Sequence, residues 1–558
     1  MFPIFASEFS QLLSGYHMLG YALFSIANAI FIYFASIKFL LVLQLCGYRY
    51  DRYFKWVKNK ENPYSSRLML LCLLGFLFFC VLNMCFSPIV DKTAGSYVGF
   101  VAYILFMALY VDAENSINAK VPLKKTKRLI RLVITYNIVL AAFNFGVIIL
   151  LNYLSFIIQD EVVAILRFSL ICLIPMLIPV LLFLAYCINE PMEWLIRTHY
   201  VNFAKTKINK SKVLRIGITG SYGKTSVKEI LKTILSQKFR VLATPSSYNT
   251  PMGITLAVKK LDSTHDVFIA EIGARAKGDI KELCQIVKPK IGIVTGINSQ
   301  HFETFGDIEV TKNTKYELFE NLIHGGSGFF SSDNEHTLEL ADRFDKEKYL
   351  AGINDSNSLV TARDINIDDK GTTFMLCIKG EDPIPARTVL LGRHSISNIC
   401  LACAVAYKLG MSKEEIVSGI NRIQSVDHRL ELVPNNKGIV IIDDSFNSNV
   451  DGVKAAMEVL DLFKGRKIVL TPGLVELGSQ ENMANFEMGK TLAKHADIVM
   501  IVGRHNAETL INGLIEGGFN RENIRFAKSL KKGNEDLNAI LTEGDVVLFE
   551  NDLPDNYN

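Results

Sequence analysis

No charge sign dominates the 558-residue chain: 60 Lys and Arg face 56 Asp and Glu, for a net charge of +4. Neither an arginine-rich arm nor an interleaved basic and aromatic stripe occurs, so composition gives no case for nucleic acid as a partner. Cysteine patterning is equally sparse. Of ten cysteines, Cys46, Cys72, Cys80, Cys85, Cys172 and Cys187 lie in apolar stretches and Cys284, Cys377, Cys400 and Cys403 beyond them. That distribution reads as reduced thiols. Cys400 and Cys403 form a lone CxxC inside an apolar run, with no second pair at metal-ligand spacing, and read as helix-core residues. A cleavable signal peptide is not expected, because the first apolar run is too long and has neither a basic leader nor a small-residue cleavage site. No tandem repeat or low-complexity tract interrupts the chain.

Apolar residues are abundant, at 49%, and a mean hydropathy of +0.24 is high for a soluble enzyme. They concentrate before residue 190. Runs near 18–46, 66–89, 94–112, 132–157 and 162–187 each approach or exceed the ~20 residues needed to cross a hydrocarbon core. A membrane α-helical N-terminal unit of about five spans is therefore predicted. Basic residues crowd the segments after the first span (Arg49, Arg52, Lys55, Lys58, Lys60, Arg67) and after the third (Lys120, Lys124, Lys125, Lys127, Arg128, Arg131), whereas the connections at Asp91-Lys92 and Gln159-Asp160-Glu161 lack that excess. The positive-inside rule then puts the N-terminus outside and everything after residue 190 in the cytoplasm. The expected location is a cell inner (cytoplasmic) membrane, multi-pass, with the lipid bilayer as partner. Residues 191–212 mix apolar and cationic side chains and read either as an interfacial helix and basic linker or as a solvated spacer. A transporter would need ionisable residues within the spans, and Arg167 is about the only candidate.

Beyond the linker, Gly217-Ile-Thr-Gly-Ser-Tyr-Gly-Lys-Thr-Ser226 follows an apolar strand and opens a helix of apolar periodicity. Such a turn aims backbone N–H groups at phosphate oxygens, with Lys224 able to reach the β/γ-phosphates and Thr225 to offer its hydroxyl to Mg²⁺. The strict phosphate-loop pattern wants glycine at 218, where this chain has Ile218. A second strand ends in Glu271, at the strand end where open α/β sheets bind ligands. A third leads into Asn298-Ser-Gln-His301 and then a helix carrying Lys315.

The loop with Gly220, Ser221, Gly223, Lys224, Thr225 and Ser226, followed in order by Glu271, His301 and Lys315, resembles the middle domain of Mur ligases, especially the D-alanyl-D-alanine-adding type. The resemblance implies ATP and Mg²⁺ as cofactors. It gives Thr225 and Glu271 one Mg²⁺, and His301 and a carbamylated Lys315 the other. Leu391-Gly-Arg-His-Ser-Ile-Ser-Asn398 resembles the family's adenine-contacting segment, with Asn398 the contact. Arg429, within Asp427-His-Arg-Leu-Glu431, resembles its hinge arginine, and Asp443-Asp-Ser-Phe-Asn-Ser-Asn449 its Asp-Asp-Ser-Tyr-Asn-Ala-Asn motif, where Asp444 and Asn447 would meet nucleotide and substrate. Tyr248, Asn249 and Thr250 are further substrate candidates. The implied catalytic group is Lys224, His301, Lys315 and Arg429.

The expected organisation is a transmembrane domain over 1–190, a linker over 191–212, an α/β ATP-binding domain over 213–430 and a Rossmann-like α/β C-terminal domain over 431–558. Against the family pattern, Phe446 replaces a tyrosine, Val450 a proline and Asn485 a histidine, and Phe549-Glu-Asn-Asp stands where a Lys-Gly-Ser motif is expected. Membrane spans also occupy the place of the domain that grips a UDP-linked substrate. The function implied is an ATP-dependent ligase joining an amino acid or dipeptide amine to a carboxylate on a lipid-linked glycan or peptide. The alternatives are the D-alanyl-D-alanine-adding ligase itself, a poly-γ-glutamate-type synthase, a nucleotide-regulated transporter and a nonenzymatic nucleotide-binding scaffold.

Overall fold

A computed structural model describes residues 15–58, 63–86, 104–105, 108–109, 111, 123–158 and 170–552, except 247, 299–306, 369, 435–437, 446–447 and 476. The chain divides into two compact units, Met1–Ile196 and Arg197–Asn558.

The first unit is helical: α1 (Gly15–Ala35), α2 (Ile37–Leu45), α3 (Tyr50–Lys58), α4 (Pro63–Phe86), α5 (Lys127–Ile158) and, after a 3₁₀ turn at Leu170–Leu177, the part of α6 (Ile178–Lys210) up to Ile196. Two helical stretches, Lys127–Leu151 and Leu170–Lys210, are long and apolar enough to cross a membrane, and a third exists if α1 and α2, bent by 51° at Ser36, form one span. Of the five spans expected, two or three are met among the described residues. In the 66–89 region α4 is a 24-residue helix that is apolar beyond Arg67, and most of 94–112 lies outside the described residues. Inside the unit, Asn28 Nδ2 donates to Asn144 Oδ1 at 2.5 Å, joining α1 to α5. Arg131 pairs with Glu193 at 2.6 Å and Arg128 with Glu190 at 3.4 Å, so part of the basic excess is neutralised within the unit. The segment read as interfacial helix or spacer is the continuation of α6.

The second unit contains two sheets. The larger has nine strands in the order β2-β3-β1-β4-β5-β6-β7-β8-β9. Pairing is parallel from β2 (Val241–Ala243) through β3 (Val267–Glu271), β1 (Leu214–Thr219), β4 (Ile291–Val294), β5 (Ser327–Ser331) and β6 (Lys348–Ala351) to β7 (Val360–Asp368). It turns antiparallel for β8 (Gly371–Ile378) and β9 (Ile384–Thr388). Both faces of the parallel part are covered, which explains its apolar runs. On one face, α7 (Lys224–Leu235), α12 (Arg393–Lys408) and α13 (Lys413–Ile420) bury Ile216, Ile218, Val267 and Ile269. On the other, α8 (Pro251–Lys260), α9 (Asp279–Val287), α10 (Ile308–Glu320) and α11 (Glu335–Arg343) bury Phe268, Ala270 and Val294. Cys400 and Cys403 are buried free thiols in α12.

The smaller sheet runs β10-β11-β15-β12-β13-β14. Its central strands are β11 (Val440–Asp444), β15 (Val546–Glu550), β12 (Lys467–Thr471) and β13 (Ile498–Val502), flanked by β10 (Glu431–Leu432) and β14 (Ile524–Ala527). α14 (Val450–Leu460), α15 (Glu481–His495) and α16 (Ala507–Glu516) cover one face. α17 (Leu530–Ile540) packs on the other. β14 was not anticipated from the apolar runs, because it is only four residues long and Arg525 interrupts it.

Candidate active site

The phosphate loop joins β1 to α7, with Gly220 at φ +150° and Gly223 at φ +77°. A side chain at Gly223 would be strained there, and its Cβ would also stand 3.1 Å from Asn398 Oδ1. Asn398 therefore reaches the loop. Lys224 folds back over the turn, Nζ donating to the carbonyls of Gly220 at 2.6 Å and Ser221 at 2.9 Å. Burial pushes its pKa down to about 8, opposed by Glu271 and reinforced by Arg429.

Glu271 closes β3 at the carboxyl edge and is 1% exposed. Thr225 Oγ1 donates to its Oε2 at 3.0 Å and Asn249 Nδ2 to its Oε1 at 3.2 Å. Lys228 Nζ lies 3.3 Å from Oε2 and also bonds the carbonyl of Ser246. Oxygen donors from a carboxylate and a hydroxyl suit Mg²⁺, so Thr225 and Glu271 fit the ion proposed for them.

Lys228 was missed by the sequence reading. Its side chain is wholly buried, and the signal was present in the pattern: Lys228, Leu231 and Leu235 share the stripe of α7 that Val227, Ile230 and Ile234 complete. A lysine in an apolar stripe must find an anion, and Glu271 is that anion.

Lys315, on α10, is 2% exposed. Burial and then the Lys224 charge lower its pKa to about 7, against the raising influence of Asp279 and Glu317. Glu317 itself accepts from the amides of Gly278 at 2.7 Å and Lys281 at 3.0 Å, which fixes the first turn of α9. His301 lies outside the described residues, as does Asn447. Among the described residues no three His, Cys, Asp or Glu side chains converge as a metal site.

Of the substrate candidates, Asn249 is engaged with Glu271, Tyr248 is exposed, and Thr250 caps α8 by accepting from Gly253 N at 3.2 Å. Ser221 is tied to Asn298, its Oγ lying 3.3 Å from both the amide and the carbonyl. Ser226 sits in the first turn of α7.

Arg429 stands between His428 at φ +62° and Leu430 at φ +45°. Two non-glycine residues in the left-handed region mark a strained hinge. Leu430 N donates to Asp444 Oδ1 at 3.2 Å. Burial lowers the Arg429 pKa, with the Asp444 and Glu271 charges opposing it. Asp444 closes β11, and burial raises its carboxyl to about 6 against the pull of Arg429.

A glycine loop at a helix N-terminus, with lysines and a strand-end carboxylate around it, defines a phosphate-binding α/β protein. The descriptions "Mur ligase middle domain" and "Mur ligase, glutamate ligase domain" match residues 218–406 and 428–550. The chain belongs to the Mur ligase family, whose members are ATP-dependent ligases. It is similar to the UDP-N-acetylmuramoyl-tripeptide–D-alanyl-D-alanine ligase of Escherichia coli K12, 29% identical over 52% of this chain and 65% of the relative. The Bacillus subtilis ligase of that name is 26% identical over 62% of this chain and 75% of the relative. MurF from Acinetobacter baumannii superposes with a TM-score of 0.58 at 24% identity over 64% of this chain and 77% of that one, which establishes the shared fold. MurF from Thermotoga maritima in complex with ADP gives 0.57 at 23% identity over 64% and 80%.

Proposed function

We propose that the protein is an ATP-dependent carboxylate–amine ligase that adds an amino acid or short peptide to a cell-envelope precursor through an acyl-phosphate. The observation that carries this reading is the convergence of Thr225 and Lys228 on Glu271 beside the phosphate turn that Lys224 closes, with the charges of Lys315 and Arg429 felt there. In the first step the acceptor carboxylate attacks the γ-phosphorus of ATP and ADP leaves. In the second an amine attacks the acyl carbon, phosphate departs and the amine loses a proton.

Two anions must meet in the first step, and Lys224 and Arg429 supply fixed positive charge for the phosphoryl oxygens. Mg²⁺ held by Thr225 and Glu271 would neutralise further phosphate charge. Lys315, with a pKa near 7, keeps enough neutral amine to react with CO₂, which supports its carbamylation and a role beside His301. Asn398 would contact the adenine, and Asn249 and Asn447 the substrate. The domain organisation over 1–190, 191–212, 213–430 and 431–558 accompanies this reading.

The acceptor we favour is lipid-linked, because apolar helices occupy the N-terminal part of the chain and would hold the ligase at the cytoplasmic face of a membrane. The relatives' names favour a second reading, ligation of D-alanyl-D-alanine to a UDP-muramoyl-tripeptide. Phosphate release by the detergent-purified full-length protein, with candidate amines crossed against soluble UDP-linked and lipid-linked acceptors, separates them. Stimulation only by lipid-linked carboxylates supports the first, and strong D-alanyl-D-alanine-dependent turnover of the soluble nucleotide substrate sinks it. Lys224→Ala should lower either rate about a hundredfold or more. An unchanged rate would refute the site.

A further inference from the structure

The carboxyl edge of the smaller sheet gathers two buried carboxyl groups, Asp444 and Glu550, with few donors around them. Asp444 and Glu550 are register partners at the ends of adjacent parallel strands. Ile442 and Leu548, two residues earlier, belong to the core under α14 to α16, so both carboxylates project to that face. Glu550 has no exposed surface. Its Oε1 accepts from Ser448 Oγ, while Oε2 is buried without a hydrogen-bond partner. The charge felt by Glu550 is that of Asp444. Arg429, the cation beside Asp444, is shared with Glu271.

The rim around the pair is built rather than loose. Asn551, at φ +63°, donates its amide to the Asp444 carbonyl at 3.1 Å and its Nδ2 to the Gly473 carbonyl at 2.6 Å. Asn485 and Asn506 both hold the Leu474 carbonyl, at 2.9 and 2.8 Å. The carboxyl ends of parallel strands are where open α/β sheets take ligands. A buried carboxylate oxygen with no donor persists where a proton or a bound cation neutralises it. A hard metal ion would want six or more oxygen ligands, and no cluster of three acidic or imidazole side chains occurs among the described residues. An ammonium group needs three acceptors at most.

We propose that Glu550 and Asp444 bind an ammonium group, and that the amine substrate is recognised at this edge as a cation. The proposal rests on the ligase reading and specifies its second substrate. It predicts that charge, more than side-chain shape, selects the amine.

The test uses full-length protein in detergent and two probes of nearly equal shape, D-alaninamide, which carries an ammonium group, and D-lactamide, which carries a hydroxyl in its place. Binding is followed by saturation-transfer NMR with and without a nonhydrolysable ATP analogue. D-alaninamide should bind the wild type and bind Glu550→Gln at least about tenfold more weakly, with D-lactamide binding neither and analogue affinity unchanged. Equal binding of the two probes to the wild type overturns the proposal, as does undiminished D-alaninamide binding by a folded Glu550→Gln. So does displacement of D-alaninamide by millimolar Mg²⁺ alone, which would mark a metal site. If Glu550→Gln does not fold, the contrast between the probes on the wild type decides. Failure to bind the ATP analogue would sink the ligase reading alone, since the amine contrast is also read without nucleotide.

Discussion

Glu271 and Glu550 occupy the same place in two sheets of one unit: each is the last residue of a buried parallel strand, and each is essentially inaccessible to solvent. Their surroundings are opposite. Glu271 collects Thr225, Lys228 and Asn249, with Lys224 nearby. Glu550 has the Ser448 hydroxyl and a neighbouring carboxylate. A strand-end carboxylate is therefore not informative by itself. The sign of the charge around it indicates what the edge gathers: the first suits phosphate and its metal, the second a cation.

The difference can be broken most forcefully at Lys228. Removing one partner of a buried ion pair strands the other, at a typical cost of about 3–5 kcal/mol. Lys228→Met should destabilise the second unit by about that amount, whereas Lys232→Met, on the solvent side of the same helix, should change stability by less than about 0.5 kcal/mol. Pulse proteolysis in urea measures both. A Lys228→Met protein as stable as the parent would mean that the carboxylate is neutral in the fold, and the contrast with Glu550 would vanish.

Lys315 sharpens the cationic side. Its lowered pKa of about 7 leaves the amine largely neutral above that pH and increasingly protonated below it. Only the neutral amine attacks CO₂, so the benefit of added bicarbonate should be present at pH 8 and fade as pH falls through 7. The expected gain is about tenfold in phosphate release at pH 8, falling severalfold by pH 6. Lys315→Arg, which cannot be carbamylated, should show no bicarbonate response. A gain that is independent of pH would detach CO₂ from this lysine.

Much of the phosphate edge was legible because strand, glycine loop, helix and strand-end carboxylate are local features whose order carries meaning. Lys228 was not seen, since a lysine four residues after Lys224 resembles any solvated helix lysine until its stripe is compared with the apolar positions around it. Glu550 was noticed only as a departure from a family motif. Its burial depends on α14 packing over β15, a contact between residues roughly a hundred positions apart that no local pattern announces. The N-terminal apolar runs were legible in a different degree: two or three of the five expected spans are met among the described residues, and run length alone does not reveal where a helix bends, as at Ser36.

The anionic edge should respond to pH with the opposite sign from an ordinary stabilising carboxylate. Burial raises Asp444 from 3.8 to about 6 and moves Glu550 upward as well. The folded chain then keeps protons that the unfolded chain has released, and stability falls as pH rises from about 4 through 6 and beyond. Glu550→Gln removes part of that loss. It should match the parent near pH 4 and exceed it by about 1–2 kcal/mol at pH 8, read from urea midpoints. Glu271→Gln should instead lower stability at pH 8, because it deprives Lys228 of its buried counter-charge and leaves only the half-exposed Glu229 at 3.5 Å. Equal signs for the two glutamines would erase the distinction between the edges.

The smallest effect is expected where the edges touch. Asn298, after β4, donates from Nδ2 to Asn449 Oδ1 at 3.1 Å and to Asp451 Oδ2 at 3.0 Å, the N-cap and a first-turn residue of α14. Its backbone meets Ser221 of the phosphate loop. Asn449 keeps its bonds to the amides of Asp451 and Gly452 without this contact, so Asn298→Ala should cost only about 1 kcal/mol. The effect on turnover should be larger than on nucleotide affinity, because the lost bonds orient one sheet against the other without holding phosphate. A severalfold lower rate of phosphate release at saturating ATP, with the affinity for ADP unchanged, is the expected pattern. If affinity and rate fell together, Asn298 would belong to the nucleotide site itself, and the two edges would act as one pocket.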